Sequence, residues 1–310
     1  MTNVLIIGGS RFLGRSIALN FLAAGNYNVC VMNRGTRENL PGLAADFKCD
    51  KADRESFRKV LLDRAWDFIL DTILSDEDLA FLIDSIGSDV GHFIHTGSIG
   101  VYGDARRIPV PEWLPMAEQP EESGNEDRIF NYKIRQDKVL QRAYNERKFP
   151  MSILRMSNIY GPGDVPLDGI GSRKIDYWQR LSRGEKVEVV ENGRALLQPG
   201  HVDDLARAFL QCAERPQSIG QVYNIGGNWS LMLKDYIPLA AKAMGAPKAE
   251  LEFVSRQEVA KRYGQADDFI CQHMCSDISK AARELQWFPK IPLEAGLRNN
   301  FNWMREQGNL

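Results

Sequence analysis

Apolar residues in this chain fall into short continuous runs, separated by stretches in which they recur at helical spacing. Val4-Leu5-Ile6-Ile7 is one such run, the pattern of a strand buried on both faces of a parallel sheet. A glycine-rich turn follows, Gly8-Gly9-Ser10-Arg11-Phe12-Leu13-Gly14. Ile17, Ala18, Phe21 and Leu22 then share one helical face, and Gly25 supplies a stop. Asn28 to Met32 reads as a second strand and completes a β-α-β unit. The alternation continues with strands at 46–49, 66–70, 91–95 and 151–155 and helices at 55–64, 77–86 and 132–147. Strands alternating with helices predict an α/β fold built on a doubly wound parallel sheet. The stretch from Val101 to Glu126, rich in Pro, Glu and Gly, reads as a long loop of the kind that is often functional. From about 166 the pattern loosens. The expected organisation is a dinucleotide-binding domain over 1–165 and a smaller lobe over 166–310, with a return to the sheet near 199–226.

Composition narrows the classes. The 310 residues carry 39 Lys+Arg against 41 Asp+Glu, a formal charge of −2. That balance argues against bulk nucleic acid as the main partner and leaves a local basic patch open. No apolar run approaches the length of a membrane span. The start, Met1-Thr2-Asn3 and then apolar residues, has no basic region or cleavage site, so no secretory signal is expected. Five cysteines without a dense framework fit reduced thiols and a cytoplasmic protein. Cys271-x-His273-x-Cys275 has metal-like residue types, but no second cluster completes a ligand set, and no metal is expected. His201-Val-Asp203-Asp204 reads as the cap of a helix beginning at Leu205.

The glycine turn carries the first chemistry. Gly8 allows a tight turn and Gly14 a close approach of helix to strand, while the helix N-terminus offers N–H groups and positive dipole to a pyrophosphate. Inside a β-α-β unit this pattern marks a dinucleotide site; a structural turn without ligand is the alternative. An acid usually follows the second strand where the cofactor is NAD. Here the residues are Asn33-Arg34-Gly35-Thr36-Arg37. Arg34 and Arg11 suit a 2′-phosphate, so NADP(H) is favoured and NAD(H) remains possible. The other reading of this pair is two solvated surface arginines.

Further motifs follow in order: Asp50-Lys51-Ala52-Asp53, Thr96-Gly97-Ser98-Ile99-Gly100-Val101-Tyr102-Gly103, and Arg155-Met156-Ser157-Asn158-Ile159-Tyr160-Gly161-Pro162. Then come His201-Val202-Asp203-Asp204, Tyr223-Asn224-Ile225-Gly226-Gly227 and Ser279-Lys280-Ala281-Ala282-Arg283-Glu284-Leu285-Gln286-Trp287. Together they resemble the extended short-chain dehydrogenase/reductases, the NAD(P)-dependent epimerase/dehydratase group, nearly end to end. The resemblance implies a Rossmann-type sheet with a smaller C-terminal substrate lobe. It implies cofactor contacts from Gly8, Ser10, Arg11, Phe12, Leu13, Gly14, Asn33 and Arg34, with Asp50 and Lys51 near the adenine and Lys133 on the nicotinamide ribose. Ser98, Asn158 and Gln198 are the substrate-side residues. The implied activity is that of an oxidoreductase acting on a sugar or nucleotide-sugar hydroxyl or ketone, and a homodimer through the helices near 77–86 and 132–147 is expected.

Two departures stand against that pattern. Four residues before Lys133 the family has a tyrosine, and this chain has Ile129. An isoleucine moves no proton, and a positioned acid/base contributes roughly 10²–10⁴-fold in rate. Tyr132 is the nearest substitute, on an offset that turns it to another helical face; Tyr102 and His95 are further candidates. The family also places an arginine before the Val-x-Asp stretch to grip a diphosphate, where this chain has Leu197. The runs Gly-Gly-Ser-Arg-Phe-Leu-Gly, Gln198-Pro-Gly-His-Val and Phe269-x-x-Gln272-His273 resemble an atypical branch that contains the chloroplast stem-loop-binding proteins and their bacterial relatives. That branch brings a rival reading, a nucleotide-binding scaffold or RNA-binding protein. The five acids within Glu118–Asp127 read as a solvated loop or an access gate, and Arg142, Arg147 and Lys148 as charges suited to a helix C-terminus.

Overall fold

The computed structural model describes residues 1–36, 40–105, 107–117, 130–264 and 268–310, with backbone alone for 268 and 269. Ile129 and the acidic run 118–127 lie outside the described residues. The first half runs β1 (Thr2–Ile7), α1 (Phe12–Ala24), β2 (Tyr27–Asn33), β3 (Ala45–Lys48), α2 (Arg54–Leu61), β4 (Trp66–Asp71), α3 (Asp76–Ile86), β5 (Val90–Ser98), α4 (Asn131–Arg147) and β6 (Met151–Met156). Then come β7 (Ile159–Tyr160), α5 (Ile175–Ser182), β8 (Val187–Val190), β9 (Leu196–Leu197), β10 (Gly200–His201), α6 (Val202–Ala213) and β11 (Val222–Ile225). The chain ends with β12 (Leu231–Met232), α7 (Leu233–Met244), β13 (Leu251–Val254), α8 (Arg256–Tyr263), α9 (Ser279–Glu284) and α10 (Leu293–Glu306).

Seven strands form one all-parallel sheet in the order β11-β6-β5-β4-β1-β2-β3. This is a doubly wound Rossmann-type arrangement whose strand order reverses between β1 and β4, the place where such sheets open a crevice at their carboxyl ends. The apolar run Val4 to Ile7 has no exposed surface, because both faces of β1 are covered. Val4 and Ile6 meet α1 and α6, and Leu5 and Ile7 meet the layer that includes Phe57 of α2, Leu79 of α3 and Leu140 of α4. Each such side chain contributes on the order of 1.5–3 kcal/mol on leaving water.

A second core gathers α5, α7, α10 and β8 around Trp178 and Phe301, whose rings lie 5.2 Å apart. The residues after 166 divide between the two cores. α6 and β11 belong to the sheet domain, and so do Ala281, Leu285 and Trp287 near the chain end. Helix α6 begins at Val202 rather than Leu205, because the His201 ring nitrogen Nδ1 accepts the Asp203 N–H at 3.3 Å and caps it there. Asp203 and Asp204 therefore sit in the first turn. Among the described residues, all five cysteines are free, no cluster of metal-ligating side chains forms, and no helix is long and apolar enough to cross a membrane.

Asp204 joins the late return to α6. Its Oδ2 accepts the N–H groups of Lys290 (2.9 Å) and Ile291 (2.8 Å), its Oδ1 accepts from Arg207 (2.7 Å), and its carbonyl accepts from the Trp287 indole (2.8 Å). The carboxylate is fully buried. Asp204→Ala would strand two amide donors and a guanidinium, so it is expected to cost about 3 kcal/mol, measured by chemical denaturation. A loss under about 1 kcal/mol would show that the return is held by packing alone.

Candidate active site

The glycine turn sits at the strand-order reversal and is shaped by what it excludes. Gly8 has φ +90°, and a Cβ there would overlap Thr72 and Ile73 at the end of β4. A Cβ on Gly14 would overlap the Gly8 carbonyl, and one on Gly9 would press into Val31. The glycines thus let β1, the end of β4 and α1 approach closely. Helix α1, like α4, α5, α7, α9 and α10, has no side-chain cap, and its first turn holds no acid. Its leading N–H groups and positive dipole end are left for an anion. These residues fit a dinucleotide pyrophosphate.

From this turn a cleft of about 570 Å³ opens at the carboxyl ends of β5 and β6. Phe12, Ser98, Tyr132, Lys133 and Asn158 all line it. Helix α4 forms one wall. Its hydrophobic face is weak, so it is docked by polar pins. Arg135 meets Asp76 at 2.8 Å, Gln136 donates to the Leu74 carbonyl at 2.6 Å, and Asp137 pairs with Arg155 at 2.8 Å. Lys133 donates to the Thr96 carbonyl at 2.8 Å. Burial holds the Lys133 ammonium below its ordinary pKa, while Asp71 and Asp137 pull the other way. Ser98 Oγ accepts the Gly100 N–H at 3.1 Å, which leaves its proton for a ligand. Ser157 Oγ and Asn158 Oδ1, both on the cleft wall, are buried without a hydrogen-bond partner.

The structure brings Tyr132 to the same cleft as Lys133, against the expectation from its helical offset. The two are adjacent at the first turn of α4, and the ammonium lies 5.3 Å from the Tyr132 ring centroid. Burial raises the Tyr132 pKa, so the phenol is neutral. Tyr102 and His95 lie behind the wall. The Tyr102 hydroxyl accepts from Arg155 (2.6 Å) and donates to Asn224 (2.9 Å). His95 is held between Asp71 (2.7 Å) and Gln136 (3.3 Å).

Gln198 is not brought to the cleft. It is 4% exposed, and its amide is spent on Ser276 and the Gly227 carbonyl. On the adenosine side, Asn33 accepts the Gly35 N–H and donates to Asp46, both at 2.6 Å. Arg34 is exposed, whereas Arg11, 61% exposed, faces Asp164 at 3.6 Å, the carboxylate that also meets Arg173. Asp50 is exposed, whereas Lys51 is drawn with Arg54 onto Asp78 of α3. That pairing and the Ser75 cap overcome burial and bring Asp78 down to about 2.

Two residues of the opposite wall carried no sequence signal. Arg173 lines the cleft from the loop before α5. Asp168 shapes that loop: its Oδ1 accepts the N–H groups of Ile170 (3.0 Å) and Ser172 (2.8 Å), while its buried Oδ2 has no partner. Burial raises the Asp168 pKa to about 6 despite those donors.

The sequence model of the NAD dependent epimerase/dehydratase family matches residues 63–226. The chain is 25% identical over 316 residues to the chloroplast stem-loop binding protein of 41 kDa b from Arabidopsis thaliana, covering 96% of this chain and 78% of that protein. It is 26% identical over 232 residues to the UDP-glucose 4-epimerase of Haemophilus influenzae, covering 70% of this chain and 64% of the enzyme. Among solved structures, the Thermotoga maritima UDP-glucose 4-epimerase with UDP-glucose superposes with a TM-score of 0.77 at 21% identity, over 99% of each chain. The Bacillus anthracis dTDP-glucose 4,6-dehydratase in complex with NAD gives 0.78 at 19% identity, over 99% of this chain and 97% of that one. These likenesses establish the fold.

The Asp168 shift gives a pH prediction. Its folded pKa lies above the unfolded value of 3.8, so its contribution is complete below pH 3.8 and is lost as pH rises through about 6. The difference is about 3 kcal/mol. Asp168→Asn keeps an acceptor for Ile170 and Ser172 without the charge. Relative to wild type it should gain about 2.5 kcal/mol between pH 4 and pH 8 in denaturant titrations. A difference that stays constant over that range would show that Asp168 is not carried as a neutral acid.

Proposed function

We propose that this chain, which belongs to the NAD dependent epimerase/dehydratase family, is an NADP(H)-dependent oxidoreductase of epimerase, dehydratase or reductase type acting on a sugar-like hydroxyl or ketone. The observation that carries this reading is that Phe12 at the start of α1, Lys133, Ser98, Tyr132 and Asn158 line one cleft. A scaffold without redox function has no need of a buried lysine at the nicotinamide end. The bound nicotinamide supplies a hydride acceptor or donor.

The residues of the chain bind and move protons around it. The glycine turn and the α1 N-terminus hold the pyrophosphate. Lys133, with one N–H spent on Thr96, directs the others to the ribose hydroxyls. Ser98 donates to the reacting oxygen. Tyr132 stands in for the residue missing at Ile129. As a neutral phenol beside an ammonium, it gives a proton to a developing alkoxide and recovers it when the reaction runs in reverse. Preference for NADP(H) over NAD(H) is supported by Asn33 where an acid would repel a 2′-phosphate, and by the exposed Arg34 that follows it.

A second reading, an RNA-associated scaffold, is favoured by Ile129 and by the similarity to the stem-loop binding protein over nearly the whole chain. Calorimetry decides between the two. NADP+ is expected to bind more tightly than NAD+, and Arg34→Ala to weaken NADP+ about tenfold with little effect on NAD+. Binding of neither nucleotide, together with stem-loop RNA binding that falls steeply with salt, would overturn the enzyme reading. In a turnover assay, Tyr132→Phe should lower kcat by roughly 10²-fold or more while leaving NADP+ affinity intact; an unchanged kcat removes Tyr132 as the acid.

A further inference from the structure

Charge is distributed unevenly along the cleft. Among the described residues that line it, the side chains of fixed charge type are Lys133 and Arg173, and no carboxylate faces the space. The carboxylates nearby are committed elsewhere: Asp71 to His95, Asp137 to Arg155, and Asp168 to its own loop. Lys133 stands where the ribose is expected. Arg173 is therefore the cation on the opposite wall of the cleft.

Its geometry is that of a prepared site. One terminal nitrogen donates to the Val165 carbonyl at 2.7 Å and the other to the Ile159 carbonyl at 3.0 Å. Both are neutral acceptors, so they orient the guanidinium without cancelling its charge. A guanidinium has five N–H donors, and these two bonds leave three. Asp164 lies 3.5 Å away, but it also faces Arg11 at 3.6 Å, and its Oδ1 accepts the Val165 N–H. One carboxylate between two guanidinium groups leaves the pair with net positive charge. The side chain keeps 34% of its surface exposed, enough to reach a ligand.

The position at which an arginine would be expected tells the other half. Leu197 is 1% exposed and packs in the second core among Tyr236, Leu233 and Val189. An arginine there would have to leave that core, so the chain has closed this position to a phosphate.

We propose that Arg173 is the anion-binding residue of the cleft, and that the substrate is a small sugar acid or sugar phosphate carrying its own anionic group, not a nucleotide diphosphate sugar. This rests on the cleft being the substrate site. A bidentate guanidinium–oxyanion contact favours an anion over its neutral counterpart by about tenfold or more.

The test is calorimetry on the full chain saturated with NADP+, using glucuronate, glucose 1-phosphate, glucose and UDP-glucose as probes. Wild type is expected to bind at least one of the two small anions about tenfold more tightly than glucose, and no more weakly than UDP-glucose. Preference for glucuronate identifies a carboxylate source and preference for glucose 1-phosphate a phosphate source. Arg173→Gln should erase the preference, Arg173→Lys should keep part of it, and NADP+ affinity should stay within about twofold in both. The proposal is overturned if neither small anion binds, if glucose binds equally, if UDP-glucose binds tighter than both, or if Arg173→Gln retains the preference. Failure of the cofactor reading is a separate result, since it appears as loss of dinucleotide binding in wild type.

Discussion

An ion pair with almost no access to water sets the spacing of the site. Arg155 at the end of β6 and Asp137 on α4 are 3% and 0% exposed, 2.8 Å apart, and removing either partner from such a pair leaves a charge stranded in a medium that cannot solvate it. Asp137 lies one helical turn after Lys133, on the same face of α4, and Arg155 lies three residues before Asn158. The pair therefore fixes the distance between the two walls that carry the lysine and the asparagine. Arg155 also reaches Tyr102, which bonds Asn224 on β11, so four elements meet at one guanidinium. Gly97 makes room for it: a Cβ there would press into Ile153 and come within 3.4 Å of Asp137 Oδ1. Together with Ile134, Leu140 and Ala143 in the core, these charges position α4, and the spacing of Lys133 and Asn158 across the cleft depends on them.

Much of this was legible in the chain because it rests on local rules. The apolar run at Val4, the turn glycines and the alternation of strand and helix each report a backbone requirement, and the sheet follows from them. Lys133, Ser98 and Asn158 were legible as members of ordered motifs. What could not be seen depends on contacts between distant segments. Gln198 looks like a polar residue beside a motif, and its surroundings become clear only when Ser276 is folded against it. Lys51 is an unremarkable lysine until α3 presents Asp78. The helical offset puts Tyr132 on another face from Lys133, yet at the first turn of α4 both adjacent residues reach the opening. Arg173 and Asp168 belong to an irregular loop, where no periodicity marks a residue for attention.

The separation of charge has a physical logic. Carboxylates close to the cleft are each engaged by a partner or by the backbone of their own loop, and Lys133 and Arg173 are left facing the open space. The dinucleotide would bring its own negative charge to the α1 end. Among the described residues the cleft thus stays positive in a protein of formal charge −2, because the acids nearest it, Asp71 and Asp137, are turned inward as connectors.

The order in which the chain visits its two cores has a kinetic consequence. Edge strand β11 pairs with β6 only after the intervening segment has left to start the second core, and Trp287 comes back to the first core later still. The sheet is therefore finished by long-range contacts, for which loop-closure entropy must be met before any reward is gained. A nascent chain emerging from the ribosome can assemble β1 to β6 early but must hold that sheet's outer edge open until most of the remainder has been synthesised. Such an edge is a template for pairing with the wrong partner. The segment after β6, for the same reason, is not a cassette that recombination can exchange cleanly, since replacing it would also remove β11, α6 and the Trp287 segment that close the sheet domain.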